Sequence, residues 1–200
     1  MKNSIFHTLI FASANQHKAL EIRSAFRGSS QIMLPADLGF LFEVEETGNT
    51  LLENAVLKAE AAWQLTGKPS FADDTGLFCD ALEGAPGVHT ARFAFMQGYQ
   101  GSNIELLLEK LSTAELRDAR FESVFCLRWA EGTAIFHGVL HGQISPNPTG
   151  TGGFGYDPVF VPQGFQKTLA ELPREVKLLI SHRSQALHAM HDWIEAKHLV

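Results

Sequence analysis

Cysteine is nearly absent: Cys79 and Cys126 are the only two in 200 residues. Two thiols without metal-type spacing argue against a disulfide framework and read as buried apolar groups in a reducing, cytoplasmic protein. Positive charge is scarce too. Lys and Arg number 16 against 22 Asp and Glu, a formal net charge of −6. That argues against a protein that coats nucleic acid, since such affinity rests on phosphate neutralisation. Anionic ligands then depend on local clusters of cations. No apolar run reaches transmembrane length, so no membrane partner is expected. Lys2, the apolar stretch Ile5 to Ala14 and the Ala12-Ser13-Ala14 step have the outline of a weak signal peptide. The stretch is short and holds His7 and Thr8, so a buried first strand explains it better. Repeats, low-complexity tracts and linkers are also missing. What remains is 45% hydrophobic and 19% charged, an ordinary globular composition. Its length suits one domain over residues 1–200.

The pattern alternates strands and helices. Phe6 to Ala12 reads as a buried strand, Ser13 to Lys18 as a polar loop, and Ala19 to Phe26 as a helix. Gln31 to Leu34 and Leu41 to Val44 look like short strands. Thr50-Leu-Leu-Glu53 is a capping box. It opens a helix whose apolar face is expected to be Leu52, Ala55, Val56, Ala59 and Trp63, ending at Gly67. Asn54 and Lys58 share one side of it. Ser70 to Ala72 predicts a strand that stops at Asp73-Asp74. Ser102 to Glu105 is a second capping box, with a helix through Leu111. Ala119 to Ala130 and Thr133 to Ile144 predict a hairpin. An amphipathic helix over Ser181 to His198 closes the chain. Hairpin and crossover links together predict an α/β fold with a mixed sheet.

Four constellations could carry chemistry. Ser13, Asn15 and Lys18 could hold phosphate at a helix N-terminus, although the glycines of a Walker loop are missing and a plain polar cap is the alternative. Glu45-Glu46 and Asp73-Asp74 are paired acids. Like charges side by side raise each other's pKa, and Mg²⁺ would relieve that cost. One carboxylate could instead deprotonate a water. The run Gly150 to Asp157 allows close backbone approach to a ligand, with Phe154 and Tyr156 as faces for a purine. Lys177, His182 and Arg183 gather cations near the last helix. His188 and His191 lack a third ligand and read as surface residues.

Taken in order, these motifs resemble the inosine triphosphate pyrophosphatase family, in its bacterial dITP/XTP branch. The resemblance runs from about Leu9 to Leu187. It is carried by Ser13-Ala-Asn-Gln-His-Lys18, Glu45-Glu-Thr-Gly48, Glu53-Asn-Ala-Val-Leu-Lys-Ala59 and Ala72-Asp-Asp-Thr-Gly-Leu77. Ala81 to Val88, Gly152-Gly-Phe-Gly-Tyr-Asp-Pro158 and Ile180-Ser-His-Arg183 complete it.

The resemblance implies Mg²⁺-dependent hydrolysis of deaminated purine nucleoside triphosphates (ITP, dITP, XTP) to the monophosphate and pyrophosphate, as housecleaning of the nucleotide pool. It further implies a homodimer and a long mixed β-sheet flanked by helices, with two lobes around a central cleft. Ser13, Ala14, Asn15, Gln16, His17 and Lys18 fall on the triphosphate loop, and Lys58 on a phosphate-facing position. Glu45, with Glu46 as neighbour, and Asp74 match metal ligands, with Asp74 also the presumed general base. Thr75 matches a substrate-contacting serine. Phe154, Gly155, Tyr156 and Asp157 match the base-pocket loop, and Lys177, His182 and Arg183 match base and phosphate contacts. Alternatives are a Maf-like pyrophosphatase acting on modified pyrimidine or methylated nucleotides, and a nucleotide sensor without turnover.

Overall fold

The computed structural model describes residues 5–198; Lys2 lies outside them. The strands are β1 (Thr8–Phe11), β2 (Gln31–Met33), β3 (Ser70–Cys79), β4 (Pro86–Gly87), β5 (Asp118–Trp129), β6 (Gly132–Ile144) and β7 (Phe160–Pro162). The helices are α1 (Gln16–Ala25), α2 (Leu51–Thr66), α3 (Phe93–Met96), α4 (Asn103–Lys110), α5 (Arg174–Ile180) and α6 (His182–His198). The strands form one mixed sheet in the order β2-β1-β3-β5-β6-β7, with β4 on β3. β1 is parallel to β2 and β3, while the β3–β4 and β6–β7 pairs are antiparallel. The expected α/β class and mixed sheet are therefore present.

The chain divides into two compact units. One holds the chain through Asp74, Ser123–Gly138, and the chain from Arg183; the other holds Thr75–Glu122 and Val139–His182. The first buries β1 and stacks Phe11 on Phe71 and Phe71 on Phe125, with ring centroids 5.0 and 6.1 Å apart. Ala186, Leu187, Met190 and Ile194 of α6 are also fully buried, the one-sided spacing of an amphipathic helix. The second unit has its own core, including Leu77, Phe93, Leu107, Phe121, Tyr156 and Phe160. Cys79 and Cys126 are buried, and burial pushes both thiols up to about 12. They are inert apolar groups, as expected. No helix among the described residues is long and apolar enough to cross a membrane.

Several elements differ from expectation. Leu41 to Val44 forms no strand; Leu41 is 97% exposed and the segment has no ladder partner among the described strands. β3 does not stop at the acids but runs through them to Cys79. Gly76 sits inside that strand, where an added Cβ would come within 2.8 Å of the Gly87 carbonyl oxygen, so it serves close strand packing. α5 was not legible.

The start of α2 is as read. Thr50 accepts the Glu53 N–H at 3.1 Å, and Glu53 Oε2 accepts the Asn49 and Thr50 N–H groups at 2.6 and 3.2 Å. Gly67 ends the helix in a left-handed conformation with φ 65°, which glycine adopts without strain. Thr50→Ala should cost about 1 kcal/mol of stability, read as a lowered urea midpoint. An unchanged midpoint would count against the cap.

The buried face of α2 is rotated from the predicted one. Leu51, Asn54, Ala55, Lys58, Ala59 and Ala62 point inward. Leu52 and Val56 are 41% and 39% exposed. An inward face with an amide and an ammonium needs partners, and those partners define the site.

Candidate active site

Parallel pairing of β1 with β3 matches Phe11 to Phe71. The loop after β1 therefore leaves the sheet beside the strand that carries the acids. In that loop Ser13 Oγ accepts the Asn15 N–H, and Asn15 Oδ1 accepts the Lys18 N–H, both at 3.1 Å. Asn15 is thus the N-cap of α1. Ala14, Gln16 and His17 are exposed. Lys18, in the first turn, places Nζ 3.0 Å from Asp73 Oδ2.

Asp73 and Asp74 are both buried in mid-strand. Successive strand residues face opposite ways, and the two carboxylates find different partners. Asp73 Oδ2 also accepts Arg183 Nε at 3.2 Å, and Arg183 Nη1 donates to Glu21. Asp74 Oδ1 accepts Lys58 Nζ at 3.0 Å, and Asp74 Oδ2 accepts Asn54 Nδ2 at 3.2 Å. Lys58 Nζ donates in addition to Glu46 Oε1 at 2.7 Å. Alternation along the strand and side-chain cations, not a metal alone, therefore make this acid pair tolerable.

The electrostatics separate the two acids. Burial alone would raise Asp73, but Lys18, then Arg183 and Lys58, hold it well below the usual carboxylate range. At Asp74 burial prevails over Lys58, and the carboxyl sits above its ordinary value. Burial opposes the Lys58 charge, but Asp74, Asp73 and Glu46 together raise its pKa. Burial lowers Lys18 despite Asp73. An acid tuned upward beside one tuned downward is a common sign of divided roles. Here Asp73 is held as an anion and the Asp74 carboxyl is raised.

Glu46, rather than Glu45, joins this array; Glu45 is exposed. The donor set fits a hard cation. Glu46 and Asp74 already share one positive group, and Mg²⁺ characteristically takes one or two carboxylates and completes its shell with water and substrate phosphate. Among the described residues no cluster of three His, Cys, Asp or Glu is arranged for a metal by itself. Arg183 is held by two acids. Its Nε and Nη1 donate to Asp73 and Glu21 inside the first unit, so it has a structural charge to balance as well as any role toward a base.

The other predicted residues lie in the second unit. Asp157 is buried. Its Oδ2 accepts the Phe154 N–H at 2.8 Å and Lys177 Nζ at 2.7 Å. Lys177 Nζ also lies 5.1 Å from the Phe154 ring centroid, within cation–π range. Gly153, at φ 73°, has no room for a Cβ against the Asp157 carboxylate. Phe154 is partly exposed and Gly155 exposed, whereas Tyr156 is buried with its hydroxyl donating to the Thr90 carbonyl at 3.0 Å. Of the two aromatic faces expected for a purine, only that of Phe154 is therefore accessible. His182 is buried and stacks on Phe121, centroids 4.7 Å apart at 12°. Thr75 is partly buried in β3. A separate cavity of about 640 Å³, with Asp80, Arg120, His141 and Phe165 in its wall, includes none of the predicted residues.

Asn54 and Glu21 were missed as members of the site. For Asn54 the signal existed: an amide four residues before Lys58 on one helix side. For Glu21 nothing local marks it.

A mixed sheet whose strand β3 carries two buried acids, met by lysines of α1 and α2 and an arginine of α6, is an α/β protein with a charged buried site, and sequence relationships define it further. A profile of the Ham1 family matches residues 9–193. The chain belongs to the Ham1 family. It is 42% identical over 188 residues to a dITP/XTP pyrophosphatase of Flavobacterium johnsoniae, covering 94% of this chain and 98% of that one. To the dITP/XTP pyrophosphatase of Shigella flexneri it is 44% identical over 190 residues, covering 92% and 96%. Among solved structures, the Staphylococcus aureus Ham1 protein superposes with TM-score 0.84 at 38% identity, covering 95% of this chain and 99% of that one. A HAM1 protein from Coxiella burnetii gives TM-score 0.85 at 36% identity, covering 94% and 98%.

Proposed function

We propose that this protein is a Mg²⁺-dependent hydrolase that converts ITP, dITP and XTP to the monophosphate and pyrophosphate, removing deaminated purines from the cytoplasmic nucleotide pool as a homodimer. The observation that carries the reading is a buried, proton-avid Asp74 held by Lys58 and Asn54, in a chain more than 40% identical to dITP/XTP pyrophosphatases over most of its length.

Asp74, with Glu46 or Glu45, would hold the Mg²⁺, which when bound neutralises charge on the phosphates. Asp74 takes a proton from the attacking water, the water oxygen bonds the α-phosphorus, and the bond to the pyrophosphate oxygen breaks. Lys18 and Lys58 hold phosphate oxygens, aided by Ser13, Asn15 and the backbone of residues 13–18. Asp73 keeps Lys18 and Arg183 in place. The Phe154 ring stacks on a purine, and Lys177 and His182 are donors for phosphate and base oxygen, with Gly155 allowing close approach and the Thr75 hydroxyl contacting substrate. A donor aimed at a 6-oxo group meets the amino group of ATP as a mismatch and leaves a buried polar group unpaired.

Product identification tests this. With ITP and Mg²⁺ the products should be IMP and pyrophosphate, and ITP should be consumed faster than ATP. IDP with orthophosphate would place attack at the wrong phosphorus. Binding without cleavage would make the protein a sensor, and preference for modified pyrimidine triphosphates would move it to a different substrate class.

A further inference from the structure

We infer that Asn54 is a positioning residue for Asp74, fixing the rotation of that carboxylate; the inference rests on the role proposed above for Asp74. Asn54 is 1% exposed, in the first part of α2. Both ends of its amide are used. Oδ1 accepts the Gly48 N–H at 2.8 Å, and Nδ2 donates to Asp74 Oδ2 at 3.2 Å. The amide cannot be turned round. A backbone N–H only donates and a carboxylate only accepts, so reversal would set donor against donor and acceptor against acceptor. The fit to the backbone is close: a Cβ on Gly48 would come within 2.6 Å of Asn54 Oδ1.

Lys58 lies one turn further along the same face and donates to the other Asp74 oxygen at 3.0 Å. Each oxygen of Asp74 thus has its own donor from α2, neutral on Oδ2 and charged on Oδ1. A terminal carboxylate torsion is broad when unconstrained; two separate donors narrow it. The second end of the Asn54 amide ties down the chain just after Glu45-Glu46, while Lys58 holds Glu46 itself. One helix face therefore sets both the proton acceptor and the acid loop. A neutral amide does this without adding charge to the array.

The test is a double-substitution cycle on turnover of ITP with Mg²⁺. Asn54→Ala in the wild-type background should lower kcat roughly 10- to 100-fold, the usual range for a partner that orients a working group, with KM little changed. In an Asp74→Asn background the same replacement should cost nothing further, because the carboxylate it aims is gone. Urea unfolding checks that each variant is folded. Should Asn54→Ala not fold, Asn54→Ser, which keeps a polar side chain and adds no charge beside Asp74, goes through the same cycle. Equal losses in both backgrounds, or a raised KM with unchanged kcat, would overturn the positioning role. A wild-type protein that releases no pyrophosphate would overturn the proposed reaction itself, and this inference with it.

Discussion

Asp74→Asn is expected to keep the fold and to lose about 10²-fold or more of pyrophosphate release, the scale of a positioned general base. The amide has nearly the shape of the carboxylate, so Lys58 and Asn54 keep a neighbour of the same size. What disappears is the capacity to accept a proton from water and one negative charge toward a cation. The effect on stability has two opposed parts. Burial raises the Asp74 carboxyl above its ordinary value even with Lys58 beside it. A carboxyl raised on folding contributes stability below its unfolded pKa and loses it as pH rises through the folded value. At neutral pH its charge is therefore a cost that Asn removes, but an amide at 74 accepts from only one of Lys58 and Asn54 and turns an N–H toward the other, so the two effects offset and the urea midpoint should stay close to wild type. Turnover near the wild-type level would remove Asp74 from the role of base.

Its neighbour should show a large loss of stability. Asp73→Asn is expected to destabilise the protein by about 3–5 kcal/mol, the usual result of removing one partner from a buried ion pair. Lys18 and Arg183 both lean on Asp73 Oδ2, and neither could leave for water without dismantling the start of α1 or of α6. The pH dependence follows from the direction of the shift. Lys18, Arg183 and Lys58 hold the Asp73 carboxyl below its unfolded value, against the effect of burial. The stability it contributes is fully present above the unfolded value of about 3.9 and drains away as pH falls below it. Urea midpoints measured from pH 7 downward should decline in the wild type and more shallowly in Asp73→Asn. Parallel curves would mean that Asp73 is not the anion holding these cations.

Much of this was legible in the residues because it is local. Thr50 and Glu53 announce the start of α2 three residues apart, and Gly67 its end, since caps are made by neighbours in sequence. The β5–β6 hairpin shows in two long runs around Glu131-Gly132. The phase of α2 was not legible. Its apolar residues lie on more than one side, and which side turns inward is decided by Asp74, 20 residues beyond Asn54. β3 was cut short for a related reason. Two acids in mid-strand look like a strand end until Lys18, Lys58 and Arg183 arrive from three helices. Tyr156 was read as a ligand face, but its hydroxyl is spent on Thr90, 66 residues away. Pairings of that range leave no periodic mark.

Because Asn54 and Lys58 stand one turn apart and grip opposite oxygens of one carboxylate, α2 behaves as a gauge. A single residue inserted between them would swing one past the other by about 100°, and no local repair could return both. Between these two positions the helix has a fixed pitch to keep.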